Sequence, residues 1–296
     1  MLDIEEFIIA VYLRVERYLE SIMRLHPPRQ RGFAPSLSDG EVLTIEIVSE
    51  FLGHHSDVAI WKYCRRHWRG WFPSLGDRTT FVRHAANLWR YKQLVHQRLL
   101  QELGVNDSKL YRVDGFPMPV CGFKRAPQAK VFKGAASYGS SKTKLGTFYG
   151  FKGHLLIDAR GIVWGVSVTA ANADERDVVP ELVVGLDGLL LGDKGYICQP
   201  LKTRLAAQGL TLLTPKRANM EGHNPAMNKL ISRQRQLVET VVGHLCHWFD
   251  IERIRSRDLW HLTSRLARKL LAHTMMVLLN RDFGRPWLHF ADIINQ

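Results

Sequence analysis

Cysteine is scarce and scattered. Only Cys64, Cys121, Cys198 and Cys246 occur in 296 residues, with no CxxC pair among them. That excludes a disulfide-stapled scaffold and leaves no thiolate pair to open a structural zinc site or a redox motif. The four read as reduced thiols. Long apolar runs are also missing. Stretches such as Met275 to Leu279 fall far short of the ~20 residues that cross a bilayer, so no membrane partner is expected. The N-terminus reads MLDIEEF, acidic and without a small-residue cleavage site, which speaks against a secretory signal and for the cytoplasm. No internal repeat or low-complexity tract is visible. Acid is the remaining deficit. There are 28 Asp and Glu against 41 Lys and Arg, a formal charge of +13, and none of the acids lies between Gly115 and Ile157.

What is present is an ordinary globular composition, 46% hydrophobic and 23% charged, with material for one large domain and a smaller one. The excess of cations points to a polyanionic partner, because each Lys or Arg that meets a phosphate also releases a condensed counterion. Nucleic acid leads, which would place the protein at the nucleoid.

The first hundred residues read as helical. Phe7, Ile8, Val11, Val15, Leu19 and Ile22 keep helical spacing until Pro27 and Pro28. Ser38-Asp39-Gly40-Glu41 has the form of a capping box, opening a helix that Gly53 closes. A short helix is expected from about Ser56 to Arg69, and another from near Asp77 to about Leu103. Three helices with short joints resemble a helix-turn-helix unit. The expected division is 1–106, a helical DNA-binding domain, and 107–296, a catalytic domain with C-terminal helices.

From Lys109 the pattern changes. Leu110 to Asp114 reads as a strand that Gly115, Pro117 and Pro119 stop. A basic loop follows, and then two strands, Phe148 to Ile157 and Ile162 to Thr169, around the turn Asp158-Ala159-Arg160-Gly161. A helix from about Asp174 to Val184, a strand at Leu189 to Leu191, a helix over Leu201 to Gln208 and a strand at Thr211 to Leu213 come next. Asn224-Pro225 opens a helix reaching Phe249. A last helix carries Leu259, Leu262, Leu266, Leu270 and Leu278 on one stripe. The order β-β-β-α-β-α-β-α matches a ribonuclease-H-like α/β layout, a mixed sheet flanked by helices.

Phosphoryl transfer on DNA needs a nucleophilic oxygen and a stabilised leaving oxygen beside dense negative charge, and two divalent cations about 3.5–4 Å apart supply both. Hard cations take oxygen ligands, so carboxylates from separate elements must converge. Three candidates fit: Asp114 in the first strand, Asp193 after the apolar strand Leu189 to Leu191, and Glu239 in Arg235-Gln236-Leu237-Val238-Glu239. Each has a bland alternative, respectively a solvated strand-end acid, a loop acid and a helical Glu paired with Arg235. Asp158 and Asp187 read as turn residues, and Asp174, Glu175 and Asp177 as a helix cap facing the dipole. His154 shares a strand face with Lys152 and is read as packed, with a role at the site as the minority alternative.

The segments VDGFPMPV, YGFKGHLLID, LLGDKGY and RQRQLVETVVGHLCHWFDIERIR resemble the DDE-type insertion-sequence transposases, most closely the insertion-sequence 982 branch. The resemblance spans nearly the whole chain and rests on order, spacing and local sequence together. It implies a ribonuclease-H-like catalytic domain behind a DNA-binding domain, and catalytic Mg²⁺, with Mn²⁺ as substitute, held by Asp114, Asp193 and Glu239. Relatives often carry Tyr-x2-Arg-x3-Glu-x6-Lys on the Glu-bearing helix. Here Arg235 and Glu239 fit, Ser232 replaces the Tyr and Cys246 replaces the Lys.

Trp61 to Trp71 interleaves cations and aromatics, so that Arg65, Arg66 and Arg69 can grip phosphates while the aromatics pack inward. The same role is expected of Lys124, Arg125, Lys130, Lys133, Lys142 and Lys144 in the basic loop, and of Lys152 and Arg235 nearer the acids. The function implied is binding of inverted-repeat ends in double-stranded DNA, cleavage of one strand and joining of its 3′ end to a target, by a homodimer on DNA since two ends must meet. The rivals are a nuclease or resolvase on the same fold, and an inactive transposase-derived DNA-binding protein.

Overall fold

The computed structural model describes residues 2–27, 35–141 and 146–294, and they divide into two compact units. One joins Met1–Leu103 to His247–Gln296, and the other is Gly104–Cys246. The division at the first boundary falls close to the expected 106. The second places the C-terminal residues with the N-terminal helices, where the expected division kept them with 107–296.

The helical unit contains α1 (Ile4–Leu25), α2 (Asp39–Phe51), α3 (Asp57–His67), α4 (Arg78–Asn87) and α5 (Trp89–Glu102). The capping box is formed: Ser38 Oγ accepts from the Glu41 N–H at 3.0 Å, and Glu41 Oε2 accepts from the Ser38 N–H at 2.6 Å. Gly53 follows α2 at φ +83°, a left-handed conformation that suits glycine. One expected helix, from Asp77 to Leu103, is two. It breaks at Leu88 (φ −82°, ψ 8°), where neither glycine nor proline marks the joint.

The last helix, α9 (Leu259–Asp282), does not present one apolar stripe. From Leu262 to Asn280 it is buried on nearly every side, Arg268 and Lys269 included. Burial of such charges requires partners. Arg268 Nε donates to Glu50 Oε1 at 2.6 Å and its NH1 to Asp57 Oδ1 at 2.8 Å. Lys269 Nζ reaches Glu50 Oε2 at 3.1 Å. Lys92 Nζ bonds Glu46 Oε1 and Ser264 Oγ, each at 2.9 Å. Burial opposes the charge on Glu50, yet Lys269, Arg268 and His55 hold its carboxyl down at about 2.

The second unit is built on one mixed sheet. Its strands are β1 (Leu110–Gly122), β2 (Ser137–Ser141), β3 (Gly146–Ile157), β4 (Val163–Ala170), β5 (Gly188–Leu191) and β6 (Leu210–Leu213). The order is β2-β3-β1-β5-β6, with β4 also paired to β3. β1 runs antiparallel to β3 and parallel to β5, and β5 runs parallel to β6. Three helices follow: α6 (Glu175–Leu182), α7 (Gln199–Ala206) and the long α8 (Pro225–Phe249), within which the chain passes from one unit to the other. Tyr111, Val113, Val179, Leu190, Tyr196, Leu205 and Leu212 belong to its core. This is the ribonuclease-H-like layout, with one strand more than expected.

The first strand is also longer than its prolines suggested. β1 continues through Pro117, opposite Lys152, and Pro119, opposite Gly150. Its pairing with β5 ends at Arg112, so the prolines fall where one side of the strand has no ladder to interrupt, and a register shift follows Pro119. Among the described residues no helix is long and apolar enough to cross a membrane, and none of the four cysteines forms a disulfide.

Candidate active site

Alternation along β1 sets the site. Tyr111 and Val113 turn into the core, so Arg112 and Asp114 share the opposite face. α8 meets that face. Arg112 Nε donates to the Gln234 carbonyl at 2.5 Å and its NH2 to Gln234 Oε1 at 3.0 Å. The next residue, Arg235, donates from NH2 to Asp114 Oδ2 at 2.9 Å. Two successive residues of α8 are thus tied to alternate residues of β1.

The parallel ladder places the second acid. Arg112 pairs with Leu191, the last residue of β5. Asp114 and Asp193 each lie two residues further along, Asp114 within β1 just past the end of its parallel pairing with β5 and Asp193 two residues past the end of β5. On its other side β1 pairs antiparallel to β3, so the acids occupy the place where strand direction changes, a usual location for ligand sites in open α/β sheets. Asp193 caps the 3₁₀ turn Lys194–Tyr196, its Oδ1 accepting from the Gly195 N–H at 2.7 Å.

The electrostatics reflect crowding. Burial pushes the Asp114 carboxyl up to about 6, against the pull of Arg235 and the Gly115 N–H, with Asp193 and Glu175 adding to the rise. Tyr196, fully buried beside the site, has its phenol raised by burial and by Glu175, Asp114 and Asp193. His154 is buried, bonds Thr169 Oγ1 through Nε2 at 2.8 Å, and is pushed down to about 4 by burial, with Glu175 opposing and Lys152 assisting. It is a neutral imidazole at pH 7.

Glu239 stands elsewhere on α8. It is exposed, four residues past Arg235 on the same helical face, a rise of about 6 Å. Among the described residues no group of three or more His, Cys, Asp or Glu is set to hold a metal ion. The structure brings Asp114 and Asp193 within electrostatic reach of each other, and Glu239 lies about one helical turn beyond Arg235, which bonds Asp114. It adds Glu175 to their surroundings, a residue expected only to cap a helix. Its signal was slight, one more acid in Asp174-Glu175-Arg176-Asp177. The donor chemistry nonetheless suits a divalent cation, since the ligand atoms are hard carboxylate oxygens whose mutual repulsion already raises Asp114.

Of the expected DNA contacts, Arg65, Arg66 and Arg69 are exposed on or just beyond α3, with Arg65 over the Trp61 ring at 5.1 Å. Trp68 is buried but Trp71 is 40% exposed, so the aromatics pack inward only in part. Lys124, Arg125, Lys130 and Lys133 are exposed between β1 and β2. Lys142 and Lys144 lie outside the described residues. Lys152 pairs with Glu175 at 3.1 Å, and Arg235 with Asp114 as above. Ser232 is exposed and Cys246 half-buried.

Residues 105–259 match the family described as transposase DDE domain. A solved structure of a piggyBac transposase synaptic complex with hairpin DNA is similar in fold, with a TM-score of 0.50 at 11% identity, over 93% of this chain and 74% of that one. No curated relative matches the sequence.

Proposed function

Because the chain belongs to the DDE-domain transposases, enzymes that cut and join DNA, we propose that it binds the inverted-repeat ends of a mobile element, hydrolyses one strand to expose a 3′ hydroxyl, and joins that hydroxyl to target DNA. The observation that carries this reading is that Asp114 and Asp193 each follow by two residues the last pair of the parallel β1–β5 ladder, with Asp193 acting electrostatically on Asp114. Asp114, Asp193 and Glu239 would hold Mg²⁺, or Mn²⁺ in its place. A pair of such ions supplies Lewis-acid stabilisation and a nucleophilic oxygen at neutral pH.

The protein's own residues do the rest. Arg112 fixes α8 to β1 through Gln234, which holds Arg235 and Glu239 in register with Asp114. Arg235, already on an anionic oxygen, is placed to exchange it for DNA phosphate, and Lys152 likewise. Arg65, Arg66 and Arg69, with the basic loop from Lys124 to Lys144, grip the duplex farther from the chemistry through phosphate contacts that set position. The helical residues 1–106 act as the DNA-binding domain. Two ends are brought together by a homodimer on DNA, at the nucleoid.

The test is incubation with pre-cleaved end DNA, a plasmid target and Mg²⁺. Joined product is expected from the parent protein and not from Glu239→Ala. Cleavage without joining by the parent would favour a nuclease, and joining undiminished in the variant would remove Glu239 from the site.

A further inference from the structure

The arginines of the helical unit differ in what they hold. Arg265, Arg268 and Arg281 each sit on a carboxylate. Arg65, Arg69 and Arg78 make no ion pair among the described residues, yet all three line one cleft of about 330 Å³ between α3 and the start of α4. Like charges gathered around so small a space repel one another, and an anion that enters it relieves the repulsion.

Local contacts build the cleft. α3 ends at the buried Trp68, and turns closed by the N–H groups of Trp71, Phe72 and Leu75 bring the chain back. Trp61 Nε1 donates to the Gly76 carbonyl at 3.0 Å, which fastens the returning segment to α3. Arg65 lies over the same indole at 5.1 Å, so its planar fork is held in place before any ligand arrives. Asp77 is the one acid that lines the cleft. Its Oδ1 accepts from the Thr80 N–H at 2.9 Å and its Oδ2 from the Thr80 hydroxyl at 2.7 Å. Both oxygens are thus committed to capping α4, bonds that hold the carboxyl below its ordinary range. Positive charge remains in excess, and it faces solvent.

Arg78 stands outside the segment Trp61 to Trp71 and joins Arg65 and Arg69 only through the fold. Resting on the DNA-binding reading above, we propose that the α3–α4 cleft seats one strand of the DNA backbone, with Arg78 on a phosphate beside those held by Arg65 and Arg69. Guanidinium forks match phosphate oxygens two at a time. Two helices then grip one strand, so α3 meets the duplex in a single register instead of sliding along it. Arg66, which does not line the cleft, acts outside it. The competing account is a diffuse positive surface to which Arg78 adds one charge among many. The two differ in whether one particular phosphate answers to Arg78.

The experiment titrates the full-length protein into a fluorescent duplex of the element's end, followed by anisotropy over a range of salt. A parallel set of duplexes carries a single uncharged methylphosphonate linkage at successive positions. Arg78→Ala is expected to weaken binding about tenfold and to reduce the slope of log K against log salt by about 1. Its thermal unfolding midpoint stays that of the parent, because the side chain is exposed. Arg98→Ala, which removes the same charge from α5 outside the cleft, is expected to bind as the parent does. At one linkage the methylphosphonate should weaken the parent and cost Arg78→Ala nothing further. Equal loss in Arg98→Ala, or a methylphosphonate profile that is the same in the parent and in Arg78→Ala, overturns the proposal and identifies a diffuse field. Parent-like affinity and slope in Arg78→Ala remove the cleft and leave the DNA-binding reading standing, whereas a parent that binds no end duplex overturns both.

Discussion

Replacement of Asp114 by asparagine should make the metal-free protein more stable at neutral pH. The folded protein holds this carboxyl at about 6 against an ordinary value of 3.8. The gap amounts to about 3 kcal/mol at about 1.4 kcal/mol per tenfold, and its sign is unfavourable to folding whenever the group is ionised in both states. The side chain is 21% exposed, sheltered enough for the conversion to hold. Asparagine removes the charge but has one acceptor where the carboxylate used two, for the Gly115 N–H and for Arg235. The lost hydrogen bond costs about 1 kcal/mol. The expected net gain for Asp114→Asn is about 2 kcal/mol at pH 7.5.

Urea unfolding in EDTA, followed by circular dichroism, reads it as a higher midpoint in the variant. The advantage is full above about 6, shrinks as pH falls through that value, and is gone near 3.8, where the parent carboxyl is protonated in the folded and unfolded states alike. Added Mg²⁺ should reverse the order, since a cation that binds only the folded parent stabilises it by mass action. A variant no more stable than the parent in EDTA at pH 7.5, or a difference that ignores pH between 4 and 8, would refute the reasoning.

Replacing Arg65, Arg66 and Arg69 together by alanine should weaken binding to element ends and reduce the slope of log K against log salt by about 3, as expected for three phosphate contacts; an unchanged slope in a filter-binding titration would acquit α3. Arg268→Leu should lower unfolding free energy by about 3–5 kcal/mol, because Glu50, Glu46 and Asp57 are left buried without it; a loss under 1 kcal/mol in a urea melt would contradict the network. Residues 1–103 expressed alone should show no cooperative thermal transition, since Lys92, Glu46 and Glu50 would lack their partners on α9. Gly115→Ala should cost about 1 kcal/mol in the parent and less in a Glu175→Ala background, a coupling that a double-mutant cycle measures.

Local chemistry was legible in the sequence wherever it ruled. The Ser38 to Glu41 capping box, the Asn224-Pro225 start of α8 and the Asp158 turn, whose Oδ1 accepts from the N–H groups of Arg160 and Ile162, all follow from residues within a few positions of each other. So did the element that carries each of Asp114, Asp193 and Glu239. What escaped depended on distant partners. Ser137 to Ser141, Ser-Tyr-Gly-Ser-Ser, has little strand preference and becomes β2 only because β3 offers an edge. Arg268 and Lys269 look like a solvated helix face until Glu46, Glu50 and Asp57 arrive from some 200 positions away. Glu175 looks like any first-turn acid until Gly115 is found beneath it.

The buried ion network of the helical unit also sets an order of events in synthesis. Helices α1 to α5 leave the ribosome with Lys92 facing Glu46 but with Ser264, Arg268 and Lys269 still to be translated, and Glu50 has only His55 beside it until they come. The surface bearing Arg65, Arg66 and Arg69 therefore matures last although it is encoded early. A polypeptide that stops short of Leu259 lacks the α9 partners of Glu50 and Asp57 and so leaves the helical unit unfinished.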